Sequence, residues 1–342
     1  MSRYSLKLTL VAILFVALFA AMLPANAPAS AHSAGAPQAV TSGLLAQRYA
    51  TAQTLAYWTP ERMKAALPAD KLVAGAKLTL KAPPAAGPSG SRAPLAPQHQ
   101  VAPNAARLSK MSSSASYQLP PSYYKYFPFS TVGKVFFTQN GGNFVCSGDV
   151  VNSNNQSVVD TAGHCVVQGG SGGNWSSNWV FCPQYYYGYA PYGCFVARQL
   201  WTSSAWYYNG SLEDDFGEAV VSANSYGNIV SVVGGSGWAY GQSASQAFYA
   251  FGYPAAYPFD GNSVYYCADY GSAAGFDDGY AVSISCTMTG GSSGGPWLIS
   301  LGGTFGYVNG HNDFKYTNDP NHMYSPYYDY DWYVVFNAAQ NS

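Results

Sequence analysis

Thr289-Gly290-Gly291-Ser292-Ser293-Gly294-Gly295-Pro296-Trp297 sets serine between glycines and closes the run with a proline. Glycines reach backbone angles barred to other residues, so such a run can turn sharply and aim its amide N–H groups at one point. Converging N–H donors beside a hydroxyl suit acyl transfer, because the donors hold the oxyanion that forms when the hydroxyl attacks. A serine hydroxyl is a poor nucleophile unaided. It needs a histidine base and a carboxylate that orients the histidine. Both lie upstream: Val158-Val159-Asp160-Thr161-Ala162-Gly163-His164-Cys165 ends an apolar run in a histidine beside a cysteine, and Glu213-Asp214-Asp215 precedes the apolar stretch from Phe216 to Val221. Taken alone, the glycine run also fits a plain turn or a phosphate cradle. The phosphate reading lacks the lysine of a P-loop, and Pro296 stands where a helix would have to begin.

The elements that must carry these residues are short and β-rich. They run Val132 to Thr138, Phe144 to Asn152, Ser157 to Thr161, Trp179 to Cys182, Phe195 to Trp201, Ala219 to Val221 and Ile229 to Val233, then Ala247 to Gly252, Ser263 to Cys267, Val282 to Cys286, Trp297 to Ser300 and Phe305 to Asn309. Turn residues separate them at intervals that fit an all-β barrel or sandwich. Asp331 to Ala339 reads as a short closing helix. No repeat of a propeller or solenoid is visible. Tyrosines gather in loops such as Tyr185-Tyr186-Tyr187 and Tyr324 to Tyr333; scattered surface aromatics are ordinary, although such loops also suit a contact face.

The chain has 342 residues, 48% hydrophobic and only 9% charged, ample for a buried core. Arg3 and Lys7, the apolar run Leu8 to Leu23 and Ala29-Ser30-Ala31 match a cleaved secretory signal over residues 1–31, which predicts an extracellular protein with no stable membrane association once it is removed. Thr59-Pro60-Glu61 places a capping hydroxyl, a first-turn proline and an acid where a helix starts, inside a helix-prone stretch from Thr41 to Asp70. Ala82 to Ala106 turns to Ala, Pro, Gly and Ser, a composition unable to build its own core. Residues 32–115 are accordingly read as a pro-segment ending in a linker, followed by domains over 116–225 and 226–342. Charge divides at the same place: residues 1–110 hold eleven Lys or Arg against Glu61 and Asp70, and the remainder holds four bases against fourteen acids. The acidic part should repel phosphate backbones, so no nucleic-acid partner is expected.

All six cysteines, Cys146, Cys165, Cys182, Cys194, Cys267 and Cys286, fall in the acidic part. An even number in an exported chain predicts disulfides, and six cysteines allow fifteen pairings. The sequential set closes short loops and would contribute about 3 kcal/mol per bridge. No Cys-x-x-Cys pair suggests zinc, and neither a metal nor a cofactor is expected.

From about Thr131 onward the chain resembles the trypsin-like serine endopeptidases of the chymotrypsin clan, especially the secreted bacterial branch that includes the glutamyl endopeptidases. Thr161-Ala162-Gly163-His164-Cys165, Asp215 before its apolar strand and Gly291-Ser292-Ser293-Gly294-Gly295-Pro296 carry the resemblance, in the order His, Asp, Ser. Val132-Gly133-Lys134-Val135-Phe136-Phe137 and Cys146-Ser147-Gly148 add to it. The resemblance implies two six-stranded antiparallel β-barrels, the first carrying His164 and Asp215 and the second Ser293. It implies Ser293 as nucleophile, His164 as base and then acid, Asp215 as the residue that holds the imidazole, and the N–H groups of Gly291 and Ser293 as oxyanion hole. It also favours the sequential disulfides, Cys146 with Cys165 above all. Asp214 is the rival carboxylate.

Two departures from the family pattern stand out. Ser292 replaces the acid that in many animal relatives receives a freed N-terminus, so activation by that ion pair is not expected; the basic pro-segment covering the acidic domain is the alternative. Family members that cut after glutamate carry a histidine where counting from Ser293 gives Val308. With Thr287 and Met288 on the other wall, the pocket reads as apolar, which argues against a buried substrate carboxylate. His311 is read as a loop histidine without a role. The expected function is a secreted, monomeric serine endopeptidase acting on protein or peptide substrates through an acyl-enzyme. A catalytically silent binding or surface protein, or an acyl hydrolase with the same three residues, is the alternative.

Overall fold

The computed structural model describes residues 36–43, 49–69, 72–73, 87–97, 115–276 and 279–342; the expected signal peptide lies outside them. In the N-terminal part the elements are β1 (Ala39–Thr41), α1 (Tyr49–Tyr57), α2 (Pro60–Ala65), β2 (Leu67–Pro68), β3 (Leu72–Val73) and β4 (Gly90–Arg92). Helix α2 starts where the spacing predicts: Arg62 N donates to Thr59 Oγ1, satisfying one of the orphan donors of the first turn. None of these strands pairs with another of the group; each pairs with the chain that follows. The stretch expected as an unstructured linker is therefore partly ordered, because backbone pairing needs no apolar side chain of its own.

Short β5 (Tyr117–Gln118) leads into the first barrel: β6 (Val132–Gln139), β7 (Gly142–Val150), β8 (Val158–Ala162), β9 (Ser177–Pro183), β10 (Phe195–Ser203) and β11 (Phe216–Val221). Asn140 and Gly141, both at positive φ, turn β6 into β7, the pairing of residue types a two-residue hairpin favours. The order β10-β11-β8-β7-β6-β9 closes where β9 pairs β10, so six antiparallel strands leave no open edge. Val135, Phe137, Val159, Trp179, Phe181, Leu200 and Ala219 fill its interior. Between β8 and β11 lie α3 (Gly163–Val166) and α4 (Ser204–Asn209).

Ile229–Val233, expected as a strand, is instead a helical turn, α5. A five-residue apolar run is too short for its period to separate strand from helix. The second barrel uses β12 (Gly237–Tyr240), β13 (Ala247–Gly252), β14 (Tyr265–Tyr270), β15 (Ser272–Phe276), β16 (Gly279–Ser285), β17 (Pro296–Leu301), β18 (Thr304–His311), β19 (Phe314–Tyr316) and β20 (Asp319–Pro326). It is divided between two sheets, β12-β18-β17-β13-β14 and β15-β16-β20-β19. A core of Phe248, Met288, Trp297 and Ile299 fills it, while Phe251, Tyr253, Leu298 and Val308 belong to a larger cluster that also takes in first-barrel residues such as Phe136, Val145 and Val180.

The chain closes with α6 (Tyr330–Gln340), capped by Asp329, whose side chain accepts from Asp331 N and Trp332 N. Trp332 Nε1 and Tyr328 Oη donate to the two oxygens of buried Asp160, at 3.0 and 2.6 Å, which binds the C-terminal helix to the first barrel. The described cysteines form three bridges, Cys146–Cys165, Cys182–Cys194 and Cys267–Cys286, the sequential set.

Candidate active site

His164 sits in α3, the turn that follows β8, and its neighbour Cys165 is bridged to Cys146 on β7. The Asp215 carboxylate receives this turn from two sides: His164 N donates to Oδ1 at 2.6 Å, and His164 Nδ1 lies 2.9 Å from Oδ2. Gly163 N donates to the Asp215 carbonyl at 2.8 Å, so backbone and side chain of one aspartate set the imidazole's position. The neighbouring Asp214 points elsewhere, its Oδ2 accepting from Ser211 Oγ at 2.9 Å.

The glycine loop around Ser293 is held from the first barrel. Ser147 N donates to Ser293 O at 2.7 Å, Ser147 Oγ donates to Gly291 O at 2.9 Å, and Thr161 Oγ1 donates to Ser147 O at 2.8 Å. Gly291 has φ +91, and a Cβ there would lie 2.8 Å from Tyr253 O; at Gly294, φ +78, it would lie 2.0 Å from Thr161 Oγ1. Both positions therefore demand glycine, on conformation and on space. Among the described residues, neither Gly291 N–H nor Ser293 N–H meets an acceptor, so both donors are available to an oxyanion. Ser292 is turned back into the loop, its Oγ donating to Thr289 O at 2.7 Å.

Ser293 Oγ donates to Ala69 O at 3.2 Å, and His164 Nε2 meets no hydrogen-bond partner among the described residues. The contact is part of a crossing: Leu67 and Pro68 pair with Phe144 and Val145 on β7, and β3 pairs with Lys315 and Tyr316 on β19. Trp58, 5% exposed, anchors the segment, with Nε1 donating to Asn178 O at 2.6 Å and its ring 5.5 Å from that of Phe136. Among the described residues no ion pair joins this basic segment to the acidic domain; backbone pairing and aromatic packing hold it.

A cavity of about 500 Å³ opens beside Ser293, walled by Thr287, Thr289, Gly290, Asp313, Lys315 and Asn321 among others. Of the three residues expected at the pocket, Thr287 lines this cavity. Met288 and Val308 do not: both are fully buried in apolar clusters, and neither lines the cavity. Counting from Ser293 stopped at Val308, whose side chain packs into the apolar cluster between the barrels, and the wall is formed further along the chain by Asp313–Thr317. Apolar groups still dominate the wall, with Ala256, Phe314, Tyr316, Pro320 and Met323 beside the polar residues. Lys315 Nζ donates to Cys286 O and Pro320 O, both at 2.7 Å, and burial pulls its pKa down to about 8.

His311 is not a loop residue but ends β18, fully buried, with Nδ1 2.9 Å from Tyr328 Oη. Burial drives its pKa down to about 3, so it is neutral. His164 behaves oppositely. Burial opposes its charge, yet Asp215 outweighs burial and raises its pKa to about 9.

Sequence reasoning passed over Asn312 and Asp313. Asn312 braces the glycine loop, Nδ2 donating to Phe251 O at 2.7 Å and Ser292 O at 3.2 Å, and its backbone O accepting from Gly294 N. Asp313 Oδ1 lies 3.4 Å from His164 Nδ1. The signal for both was a polar His311-Asn312-Asp313 run closing an apolar strand. His164, Asp215 and Asp313 bring possible ligand atoms within 4.8 Å of one another, a closeness their mutual contacts account for; Cys146 and Cys165 are taken up by their disulfide.

No protein-family model matches the chain, and no curated protein matches it either. Among solved structures it is similar to the protease Anisep from Arthrobacter nicotinovorans, with 38% identity over 62% of this chain and 96% of that one, at a TM-score of 0.58. The chain belongs to the chymotrypsin-like serine proteases. A thermostable serine protease, AL20, from an extremophilic microorganism is similar to the same degree, with 39% identity over 62% of this protease and 98% of that one, at 0.58. A Glu endopeptidase, 17% identical over 68% of this protease and 99% of that chain, at 0.52, shares the fold. This protease is a serine endopeptidase.

Proposed function

We propose that this chain is the precursor of a secreted serine endopeptidase, with Ser293, His164 and Asp215 as its triad and the N-terminal segment as its inhibitor. The observation that carries the triad is the His164–Asp215 contact, 2.9 Å at Nδ1 with a second bond to the backbone, which leaves Nε2 for the nucleophile. Ser293 Oγ attacks the substrate carbonyl while His164 Nε2 takes its proton, and the carbonyl oxygen becomes an oxyanion on Gly291 N–H and Ser293 N–H. His164 then passes the proton to the leaving amine, which departs and leaves an acyl-enzyme on Ser293. Water repeats the sequence and frees the acid. The three disulfides support an oxidising, extracellular destination.

The crossing segment supports the inhibitory role. A leaving amine must reach His164, so the amine half of a substrate runs toward the side of β7 and the Cys146–Cys165 bridge, and the acyl half, N-terminal in sequence, runs beside β19 and the pocket. The segment runs the other way. Its earlier residues, Leu67 and Pro68, lie on β7 and its later residues, Leu72 and Val73, on β19. Ala69 O accepts the Ser293 hydroxyl from a chain of reversed polarity, with its C-terminal side toward the pocket instead of toward His164. The segment occludes without being a substrate.

The test is a fluorophosphonate probe and casein offered to the protein after removal of residues 32–115. Labelling at Ser293 together with proteolysis is expected; an unlabelled, folded protein would reject the proposal in favour of a silent relative. Because His164 must be neutral to accept the proton and Asp215 favours its charged form, kcat/KM is expected to rise with pH through a limb centred above the ordinary histidine value of about 6.5. A limb at or below that value contradicts the assigned electrostatics.

A further inference from the structure

Two carboxyls face one imidazole in this cleft. Asp215 lies 2.9 Å from His164 Nδ1 and Asp313 lies 3.4 Å from the same atom, and both carboxyl side chains are fully buried. Neither oxygen of Asp313 finds a hydrogen-bond donor among the described residues. A buried carboxylate without donors is costly, and a second one beside Asp215 more so. Among the described residues the nearby groups offer no further cation. His311 Nε2 is 4.0 Å from Asp313 Oδ1 but is neutral, and the Lys315 amine is committed to the carbonyls of Cys286 and Pro320.

We propose that Asp313 is a positioning residue that stays protonated during turnover and donates its carboxyl hydrogen to the Asp215 carboxylate. The two carboxyls then carry one negative charge between them. Asp215 keeps its bonds to His164 N and Nδ1 while a third donor occupies one of its remaining lone-pair directions. Burial and then the Asp215 charge hold the Asp313 carboxyl well above the usual carboxylate range, in agreement with the geometry. Titratable neighbours that face Asp313 are Asp215 and His164 from the first barrel and His311 from β18. The shared proton is also a brake on His164: a donor to Asp215 draws charge away from Nδ1 and keeps the imidazole's proton affinity from rising further.

The inference rests on the proposed triad, and the experiment separates the two. Mature wild type, Asp313→Asn, Asp313→Ala and Asp215→Asn are compared by kcat, KM and the acid limb of kcat/KM against pH. Asn keeps a neutral donor, so Asp313→Asn should lose only a few-fold in kcat and leave the limb in place. Asp313→Ala removes the donor, and kcat should fall about 10- to 100-fold with KM little changed, while the limb moves to higher pH. If Asp313 were ionised, both variants would delete a negative charge beside His164 and move the limb to lower pH, which overturns the proposal. A limb that stays put in Asp313→Ala, with activity following stability alone, also overturns it. Asp313→Ser, smaller but still a donor, stands in should Asp313→Asn fail to fold, and must follow the same pattern. An active Asp215→Asn would sink the triad reading itself, whatever Asp313 does.

Discussion

Ser293→Ala is expected to lower turnover of the mature protease about a millionfold while leaving its folded state intact. The size follows from what is lost. Without Oγ there is no acyl-enzyme, and only the N–H groups of Gly291 and Ser293 and substrate binding remain to favour the transition state, worth about 10³ to 10⁴ over water. Ser292 cannot take over, since it is 1% exposed and its hydroxyl is committed to Thr289 O. The fold should survive because the links that hold the loop, from Ser147, Asn312 and Thr161, use backbone atoms of the loop or of its immediate support. Steady-state kinetics on an activated ester, beside circular dichroism, would check both halves. A loss below about 100-fold would mean that another nucleophile does the work.

The second large effect concerns the N-terminal segment. The intact precursor is expected to react with a fluorophosphonate at least about 100-fold more slowly than the protein lacking residues 32–115, as it would for a site left uncovered about 1% of the time. Added back in trans, a peptide spanning residues 36–97 should restore the block, and Trp58→Ala in that peptide should weaken it, because Trp58 is the segment's buried anchor. Reversed polarity adds a signature: prolonged incubation should leave the bond after Ala69 uncut. Equal labelling of precursor and mature protein would dismiss the inhibitory role, and cleavage after Ala69 would dismiss the reversed crossing. The expectation that charge complementarity seats the segment finds no ion pair among the described residues; β pairing does that work.

The chemistry was legible because it resides in local motifs. A serine among glycines, a histidine beside a cysteine and a carboxylate before an apolar strand each suggest a role through residue type and immediate neighbours, so His164, Asp215 and Ser293 are candidates without coordinates. The β class and the helix start at Thr59 were legible for the same reason, since alternation and capping act over a few residues. What escaped depends on contacts between distant parts of the chain. Val308, expected at the pocket by counting from Ser293, and Met288, expected on its other wall, pack into apolar clusters, while Asp313 and Lys315 line the cavity. Asp313 acquires its place beside His164 only when the second barrel closes on the first, a separation of 149 positions that no local pattern encodes. The course of the segment across Ser293 is likewise tertiary, because backbone pairing is nearly blind to side-chain identity and leaves little trace in the sequence that makes it. Residue types by themselves determined the reaction; packing of the two barrels decided which groups surround it and which strand covers it.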